Sequence, residues 1–176
     1  MVKEEENVVK TNLLDETLGE VSKQKAHQGE GMLHKAIIVI VKDSDGKYLI
    51  TRRSNSKQLW PSFFDISIAT HPKRGESYEE AAERRLKEEL GIDIPHTLLK
   101  QIGMFSYFAK YGANGSESEL CRVFLVENVS RHEITPNPKE ISDCIFVGEE
   151  IKGLVHREDL TPWAELVIRC GYLNLI

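Results

Sequence analysis

The sequence predicts a mixed α+β or α/β sandwich, in which helices cover a largely β core. Short β-rich segments follow one another along the chain, and one clearly delimited amphipathic helix lies among them. Of the 176 residues, 40% are hydrophobic and 29% are charged, which is ordinary for a globular domain. We therefore expect one domain over residues 11–176, preceded by a disordered N-terminus over residues 1–10.

The best-defined element is a helix over residues 78–90. Ser77 and Glu80 form a capping box, and Gly91 follows the last periodic residue as a C-cap. At about 100° per residue, Glu89 falls on the apolar face of this helix. Because a buried carboxylate costs several kcal/mol unless it is compensated, Glu89 needs either a metal ion or an arginine partner, and both remain open.

The other elements follow from β-rich runs and turn residues. A hairpin is expected within residues 10–29, with residues 18–20 near its turn, and a second one turns at Gly46. Thr161 as N-cap and Pro162 at the first helical position predict a closing helix that ends near Arg169. The predicted strands span residues 34–41, 48–52, 63–69, 98–108, 119–126 and 144–147.

Charge and composition exclude several classes of protein. A net charge of -5 gives no electrostatic case for nucleic acid. The three cysteines, Cys121, Cys144 and Cys170, are too widely spaced for a CxxC zinc site and argue against a disulfide framework. The longest wholly apolar run, residues 36–41, is too short for a membrane span. A cytoplasmic location is therefore the default expectation.

Three histidines and two glutamates are candidate metal ligands. Glu117 and Glu119 lie two apart in a strand-like segment, so their side chains project from the same side. His27, His34 and His71 flank predicted strands and turns. Together these groups would suit Mn²⁺, Fe²⁺ or Zn²⁺ better than a pure Mg²⁺ site. The alternative is that each histidine is an ordinary surface or capping residue.

Basic residues and tryptophans suggest a second kind of site. Arginine offers a bidentate fork and lysine a point charge, which together suit a diphosphate, particularly if Glu89 brings in Mg²⁺. The alternative is that each is a solvated surface charge. Trp60 and Trp163 are either core aromatics or indoles that stabilise a carbocation. The basic residues are Lys23, Lys25, Arg52, Arg53, Lys57, Arg84 and Arg85.

Residues 70–92 resemble a degenerate Nudix box, whose family form is Gx5Ex7REUxEExGU. Thr70 takes the place of the first glycine, and Arg85 replaces the first glutamate of the REUxEE core. The resemblance implies a Nudix fold, a mixed β-sheet with flanking helices. Arg85 disfavours ordinary Nudix hydrolysis, which uses the acidic cluster to hold metals, and favours contact with phosphate. The matching residues are Glu76, Arg84, Leu86, Glu88, Glu89 and Gly91.

The wider chain, from about residue 13 to residue 163, resembles the Nudix-type (type 1) isopentenyl-diphosphate isomerases. The resemblance implies a small isoprenoid diphosphate as substrate, Mg²⁺ bound with the diphosphate, and a second divalent ion that is Mn²⁺, Mg²⁺ or Zn²⁺. It also implies a monomer or weak homodimer. The motifs that carry it include Lys25-Ala26-His27, Ser56-Lys57, Ser67-Ile68-Ala69-Thr70-His71-Pro72, Glu117-Ser118-Glu119-Leu120-Cys121 and Thr161-Pro162-Trp163.

The same resemblance implies a role for each matching residue. Glu89 would bind the Mg²⁺ that accompanies the diphosphate. Tyr107 matches an active-site tyrosine, and Trp163 matches the indole beside the hydrocarbon. The implied metal ligands are His27, His34, His71, Glu117 and Glu119, and the implied diphosphate contacts are Lys23, Arg53, Lys57 and Arg85.

The family reaction needs two proton-transfer groups on opposite faces of a five-carbon chain. In the family these are the second glutamate of the Glu-x-Glu pair, here Glu119, and a cysteine whose position is taken by Ala69. Three hypotheses follow. The chain is an isomerase in which water, Tyr107 or another group replaces the thiol, a Nudix hydrolase of a diphosphate, or a diphosphate-binding protein without turnover.

Overall fold

Nine β-strands and four α-helices lie in residues 6–148, 150–154 and 157–173, the part of the chain that the computed structural model describes; the side chain of Lys152 is also outside it. Short 3-10 helices span His96–Leu98 and Arg131–Glu133. The helices are α1 (Lys23–Ala26), α2 (Tyr78–Leu90), α3 (Ile151–Leu154) and α4 (Pro162–Arg169). The strands are β1 (Asn7–Thr11), β2 (Thr17–Ser22), β3 (His34–Asp43), β4 (Tyr48–Arg53), β5 (Phe64–Ile66), β6 (Ile68–Thr70), β7 (Lys100–Lys110), β8 (Ser116–Val129) and β9 (Ile141–Val147).

Strand β3 lies at the centre of a mixed sheet. It pairs in parallel with β8 and antiparallel with β6, and β8 pairs antiparallel with β7. Strand β4 lies between β5 and β9 and joins β3 where Lys42 pairs with Tyr48. The predicted mixed sheet with flanking helices is therefore confirmed.

Alternate residues of β3 contribute to two separate cores. Ile37 and Val39 pack in a cluster with Leu86 of α2, whereas Ile38 packs in a cluster with Val167 of α4. Because successive side chains of a strand point to opposite faces, one buried apolar strand supports both layers. This arrangement gives the predicted sandwich. Within the described residues, no helix is long and apolar enough to span a membrane.

Helix α2 has the predicted bounds and caps. Ser77 Oγ accepts a hydrogen bond from Glu80 N at 3.1 Å, and the Glu80 carboxylate accepts one from Ser77 N at 2.8 Å. Gly91 ends the helix in the left-handed region, with φ of 71°. Glu89 is buried, with only 5% of its surface exposed. The inward orientation predicted for this carboxylate is confirmed.

The N-terminal predictions need correction. Residues 7–10 form part of β1, and Val8 is fully buried, so the expectation of disorder over residues 1–10 is wrong there. Residues 1–5 lie outside the described residues. The first hairpin turns at residues 12–16 rather than at 18–20. Asn12 Oδ1 accepts hydrogen bonds from the backbone N–H groups of Leu14 and Glu16, which stabilises this turn.

Two further expectations change in detail. The strand expected over residues 63–69 divides at Ser67, whose hydroxyl accepts from Val41 N and donates to Leu49 O, the carbonyl that also accepts from Ser67 N. Helix α4 runs from Pro162 to Arg169 as predicted. Thr161 precedes it, but its side chain makes no capping bond.

Candidate functional site

Strand pairing brings the five predicted metal ligands together. His34 opens β3 and lies opposite Glu119 in the parallel pairing with β8. Strand β6 runs beside β3 and ends one residue before His71, while His27 follows the end of α1. With Glu117, these residues offer five donor atoms that all lie within 4.8 Å of one another. The five residues are far apart in the sequence, and the fold brings them together.

The loop before β8 packs closely against His27. Ser116 N donates a hydrogen bond to His27 O at 2.9 Å. Gly115 has φ of 144°, and a Cβ at this position would lie only 2.5 Å from the same carbonyl oxygen. Glycine is therefore required here, because any side chain would push His27 away from the start of β8.

The donor atoms surround one small volume. His34 Nε2 lies 3.3 Å from His27 Nε2 and 3.1 Å from His71 Nε2. Glu119 Oε1 lies 2.8 Å from His71 Nε2, and Glu117 Oε2 lies 2.9 Å from His27 Nε2. All five residues are buried or nearly so.

The hydrogen bonds of the cluster leave acceptors without donors. His34 Nδ1 lies 2.7 Å from Met32 O, and since a carbonyl only accepts, Nδ1 carries the proton; in the neutral ring Nε2 then presents a lone pair to the cluster. Among the described residues, Glu117 Oε2 is a buried atom with no hydrogen-bond partner, because its close approach to His27 Nε2 does not have hydrogen-bond geometry. Inward lone pairs and an unsatisfied carboxylate oxygen are the environment that a cation stabilises.

The pKa values agree with this arrangement. Burial lowers the pKa of His27 to about 4 and that of His71 to about 3. Burial alone would lower the pKa of His34, but its hydrogen bond to Glu119 outweighs burial, and the pKa of His34 is raised. Burial and the charge of Glu119 raise the pKa of Glu117 well above its usual range, while hydrogen bonds from histidines outweigh burial and hold the pKa of Glu119 well below. His27 and His71 are thus neutral near pH 7, as metal ligation requires.

The five residues fit a divalent metal ion. Imidazole nitrogens combined with carboxylate oxygens suit first-row divalent ions. The orphaned Glu117 oxygen and the inward His34 lone pair both gain a partner if a cation is bound. The described residues therefore contain a possible divalent metal site with the membership expected from the sequence.

The other oxygen of Glu119 connects this cluster to an aromatic wall. Tyr107 OH donates to Glu119 Oε2 at 2.8 Å, and Cys121 Sγ lies 3.4 Å from the same oxygen. The ring centroid of Tyr107 lies 6.0 Å from that of Trp163, which packs edge-on against Trp60. Burial and the charge of Glu119 raise the pKa of both Tyr107 and Cys121 well above their usual values, so both stay protonated.

A small pocket, the Arg53 pocket, lies beside Ala69, two residues before His71. Its lining includes two cations, Arg53 and Lys57, and three carboxylates, Asp65, Glu89 and Glu140. Lys57 Nζ bonds to Glu140 Oε2, and Arg53 Nη1 bonds to a buried aspartate, Asp65. The cations predicted to contact a diphosphate therefore have carboxylate partners within the protein.

The other two predicted cations lie on neighbouring elements. Arg85 on α2 bonds through Nε to Glu89 Oε1 at 2.9 Å, so the arginine alternative for Glu89 is the one the structure contains. Lys23 opens α1, and its Nζ lies 2.9 Å from Glu6 Oε2. Burial raises the pKa of Glu89, and the charge of Arg85 opposes that effect. Glu89 does not belong to the five-residue cluster.

Ala69 occupies a partly buried position on β6, opposite Ile38 of β3. It precedes His71 by two residues and lines the pocket that holds Arg53 and Lys57. The position thus lies between the histidine cluster and the Arg53 pocket. Its methyl group carries no proton-transfer chemistry.

Two buried or half-buried carboxylates escaped the sequence analysis. Asp65 is only 3% exposed and bonds both Arg53 and Trp163. Glu140 precedes β9 and bonds Lys57. Asp65 lies between apolar residues in a short strand-like segment, and this pattern could have indicated a buried ion pair. Glu140 lies in a loop, where the sequence gives no such indication.

The family model for the NUDIX domain matches residues 32–168. The chain belongs to the Nudix family. The same fold is seen in the crystal structure of DR0079 from Deinococcus radiodurans, which is 27% identical to this chain and has a TM-score of 0.71. The alignment covers 94% of this chain and 99% of that one. A MutT protein from Methanosarcina mazei, 17% identical with a TM-score of 0.63, shares the fold; the alignment covers 81% of this chain and 95% of that one.

Curated relatives place this Nudix protein more narrowly. It is 36% identical over 164 residues to isopentenyl-diphosphate Delta-isomerase 1 of Photorhabdus laumondii, with 90% of each chain covered. It is 32% identical over 170 residues to an isopentenyl-diphosphate Delta-isomerase of Haloarcula marismortui, with 93% of this chain and 90% of that one covered. The chain is therefore an isopentenyl-diphosphate isomerase-like Nudix enzyme, and the family expected from its motifs is confirmed.

Proposed function

We propose that the protein isomerises isopentenyl diphosphate to dimethylallyl diphosphate by a 1,3-allylic proton shift, with Ala69 at the position of the family's cysteine. The observation that carries this proposal is the position of Glu119. One of its oxygens belongs to the histidine cluster and the other accepts a hydrogen bond from Tyr107. A proton-transfer carboxylate is thus held between a metal site and a wall that contains Trp163.

The reaction conserves atoms and electrons. The π electrons of the terminal double bond form a new C–H bond at the methylene carbon, which leaves a tertiary cation. A base then removes a proton from the carbon next to the diphosphate-bearing carbon, and the electrons of that C–H bond form the new double bond. Glu119 serves on one face, where its carboxylate exchanges a proton with the substrate and Tyr107 fixes its orientation.

The aromatic wall has two tasks in this scheme. The indole face of Trp163 offers negative quadrupole density to the tertiary cation. Trp60 and Tyr111, with ring centroids 5.0 Å apart, close the same region to water, which would otherwise trap the cation as an alcohol. On the opposite face, near Ala69, a water or another group supplies the second proton transfer, because Tyr107 is bonded to Glu119 on the first face.

His27, His34, His71, Glu117 and Glu119 would hold a divalent ion, Mn²⁺, Mg²⁺ or Zn²⁺. When bound, the ion would supply positive charge that offsets the buried carboxylates. Glu89 would share a Mg²⁺ that arrives with the diphosphate, while the basic side chains contact its oxygens. These are Lys23, Arg53, Lys57 and Arg85. A monomer or weak homodimer acting in the cytoplasm, without nucleic acid or membrane partners, completes the proposal.

A second candidate function is hydrolysis of a diphosphate. Helix α2 keeps the adjacent pair Glu88 and Glu89, which is the part of the Nudix box that holds metals in hydrolases. Arg85 opposes this function, since its guanidinium bonds to both carboxylates. Binding without turnover is the third possible outcome.

One assay separates the three. The protein is incubated with isopentenyl diphosphate, Mg²⁺ and Mn²⁺, and products are followed by proton and phosphorus NMR. Dimethylallyl diphosphate that disappears in Glu119→Gln supports the isomerase. Phosphate release that depends on Glu88 and Glu89 supports the hydrolase, and Mg²⁺-dependent binding with neither product supports the binding protein.

A further inference from the structure

Asp65 is a buried carboxylate with an unusually complete set of donors. Its Oδ1 accepts from Trp163 Nε1 at 2.6 Å, from Ile66 N at 2.8 Å and from Thr161 Oγ1 at 3.2 Å. Its Oδ2 accepts from Arg53 Nη1 at 3.1 Å. Burial raises the pKa of Asp65, while the charge of Arg53 and the hydrogen bonds from Trp163 and Arg53 oppose that effect. The four donors hold the carboxyl group in one orientation.

The guanidinium of Arg53 is fixed at the same time. Its Nε donates to Trp60 O at 3.0 Å, and its Nη2 donates to Leu59 O at 3.0 Å. With the Asp65 bond, three of the five N–H groups of an arginine side chain are used. The other two, one on each terminal nitrogen, remain available to an anion in the pocket that Arg53 lines.

The two partners of Asp65 also contact each other. The guanidinium carbon of Arg53 lies 5.2 Å from the centroid of the Trp163 ring. The two oxygens of the Asp65 carboxylate thus hold Arg53 of the Arg53 pocket and Trp163 of the aromatic wall. Such a link fixes the distance between the Arg53 guanidinium and the Trp163 ring.

We propose that Asp65 is a positioning residue that holds Arg53 and Trp163 at a fixed separation and thereby sets the spacing between the diphosphate and hydrocarbon ends of the substrate. This inference rests on the proposed function, in which Arg53 contacts the diphosphate and Trp163 lies beside the hydrocarbon. It accounts for a buried charge that the chemistry itself does not use.

The test measures the binding of inorganic diphosphate, with Mg²⁺, to the full chain by calorimetry. Asp65→Asn keeps the size of the side chain and removes its charge. We expect the dissociation constant to rise about tenfold, because the freed guanidinium loses its preset orientation. The emission maximum of the tryptophans should shift as well, since Trp163 loses a carboxylate acceptor.

Asp43→Asn is the matched control. Asp43 is equally buried, at 3% exposure, and bonds an arginine, Arg131, but it lies at the end of β3 away from the pocket. This variant should lose stability without changing diphosphate affinity or tryptophan emission. A merely structural role for Asp65 would make the two variants behave alike.

The sign of the effect also decides the matter. If Asp65 only repels an incoming anion, then Asp65→Asn binds diphosphate more tightly, which overturns the inference, as does unchanged affinity. Arg53→Gln distinguishes the positioning role of Asp65 from the diphosphate-binding role of Arg53. Weakened binding in Arg53→Gln but not in Asp65→Asn overturns the role of Asp65 alone, and unchanged binding in Arg53→Gln overturns the diphosphate assignment and the inference together.

A milder variant covers the case in which Asp65→Asn does not fold. Trp163→Phe keeps an aromatic ring but removes the Nε1 donor and part of the indole surface. Inorganic diphosphate has no hydrocarbon for Trp163 to contact, so a change in affinity must pass through Arg53, which Trp163 contacts directly and through Asp65. We expect about threefold weaker binding, and unchanged affinity would contradict the link.

Discussion

Arg85 Nε lies 2.9 Å from Glu89 Oε1, so the residue that replaces the first glutamate of the Nudix REUxEE core neutralises its last one. Arg85 also bonds Glu88 and lies 3.6 Å from Glu140. The carboxylates that bind metal ions in Nudix hydrolases are here partly neutralised by an arginine of the same helix. A diphosphate with Mg²⁺ would have to exchange these internal partners for its own charges.

Replacing Arg85 therefore tests its predicted contact with the diphosphate. We expect Arg85→Ala to weaken binding of Mg²⁺–diphosphate by about 1–3 kcal/mol, the value of a charge-assisted hydrogen bond to a buried partner. Calorimetric titration measures it. Arg84→Ala is the control, because Arg84 bonds Glu76 and Glu88 but not the buried Glu89, and this variant should leave affinity unchanged. Equal affinity in wild type and Arg85→Ala would remove Arg85 from the diphosphate site.

Metal binding tests the histidine cluster. In metal-free protein, His34→Gln should lower Mn²⁺ affinity by more than about 100-fold, since a direct ligand contributes more than an outer-shell partner. The thermal stabilisation that Mn²⁺ gives to the wild type should disappear with it. His132→Gln, which changes an exposed histidine outside the cluster, should behave as wild type. Wild-type affinity in His34→Gln would contradict the site.

Stability of the metal-free protein should depend on pH through His27. Its pKa is lowered to about 4 by burial, so between that value and about 6.5 the unfolded chain binds a proton that the folded chain does not. The contribution of His27 to stability therefore falls as the pH drops through this window. Urea unfolding at several pH values should show a shallower pH dependence in His27→Gln than in wild type. A parallel dependence would mean that His27 titrates alike in both states.

The cap of α2 carries a stability prediction. Ser77→Ala removes the acceptor for Glu80 N and should lower the free energy of unfolding by about 1 kcal/mol. Ser77→Asp keeps an acceptor at the same place and should retain most of the stability. Urea unfolding measures both variants, and equal stability of Ser77→Ala and wild type would contradict the role of the box.

The sequence predicted what depends on local chemistry. Ser77 and Gly91 determine the ends of α2 through nearby backbone groups, so both ends were correct. The membership of the metal cluster came from a family resemblance, and the parallel pairing of His34 with Glu119 supplies its geometry. Strand β1 was missed because its burial comes from pairing with β2 and β3 rather than from its own composition.

A long-range partner explains why the predicted capping role of Thr161 differs from the structure. Thr161 was predicted as a cap from its neighbours, but its hydroxyl donates to Asp65, which lies 96 positions earlier in the chain. Glu89 differs from Thr161, because Arg85 lies four positions earlier on the same helix, and such an i,i+4 pair can be read from the sequence. The helical pattern alone did not decide between this arginine and a metal ion as the partner of Glu89.

The central claim is that Glu119 transfers a proton at an isomerase site that lacks the family's cysteine. Its most direct test is proton NMR of isopentenyl diphosphate with Mg²⁺ and Mn²⁺ in D₂O, in wild type, Ala69→Cys and Glu119→Gln. We predict deuterium in the dimethylallyl product of the wild type, more rapid incorporation in Ala69→Cys and none in Glu119→Gln. Absence of deuterated product in the wild type, with the substrate bound, would contradict the account, whether or not Ala69→Cys turns the substrate over.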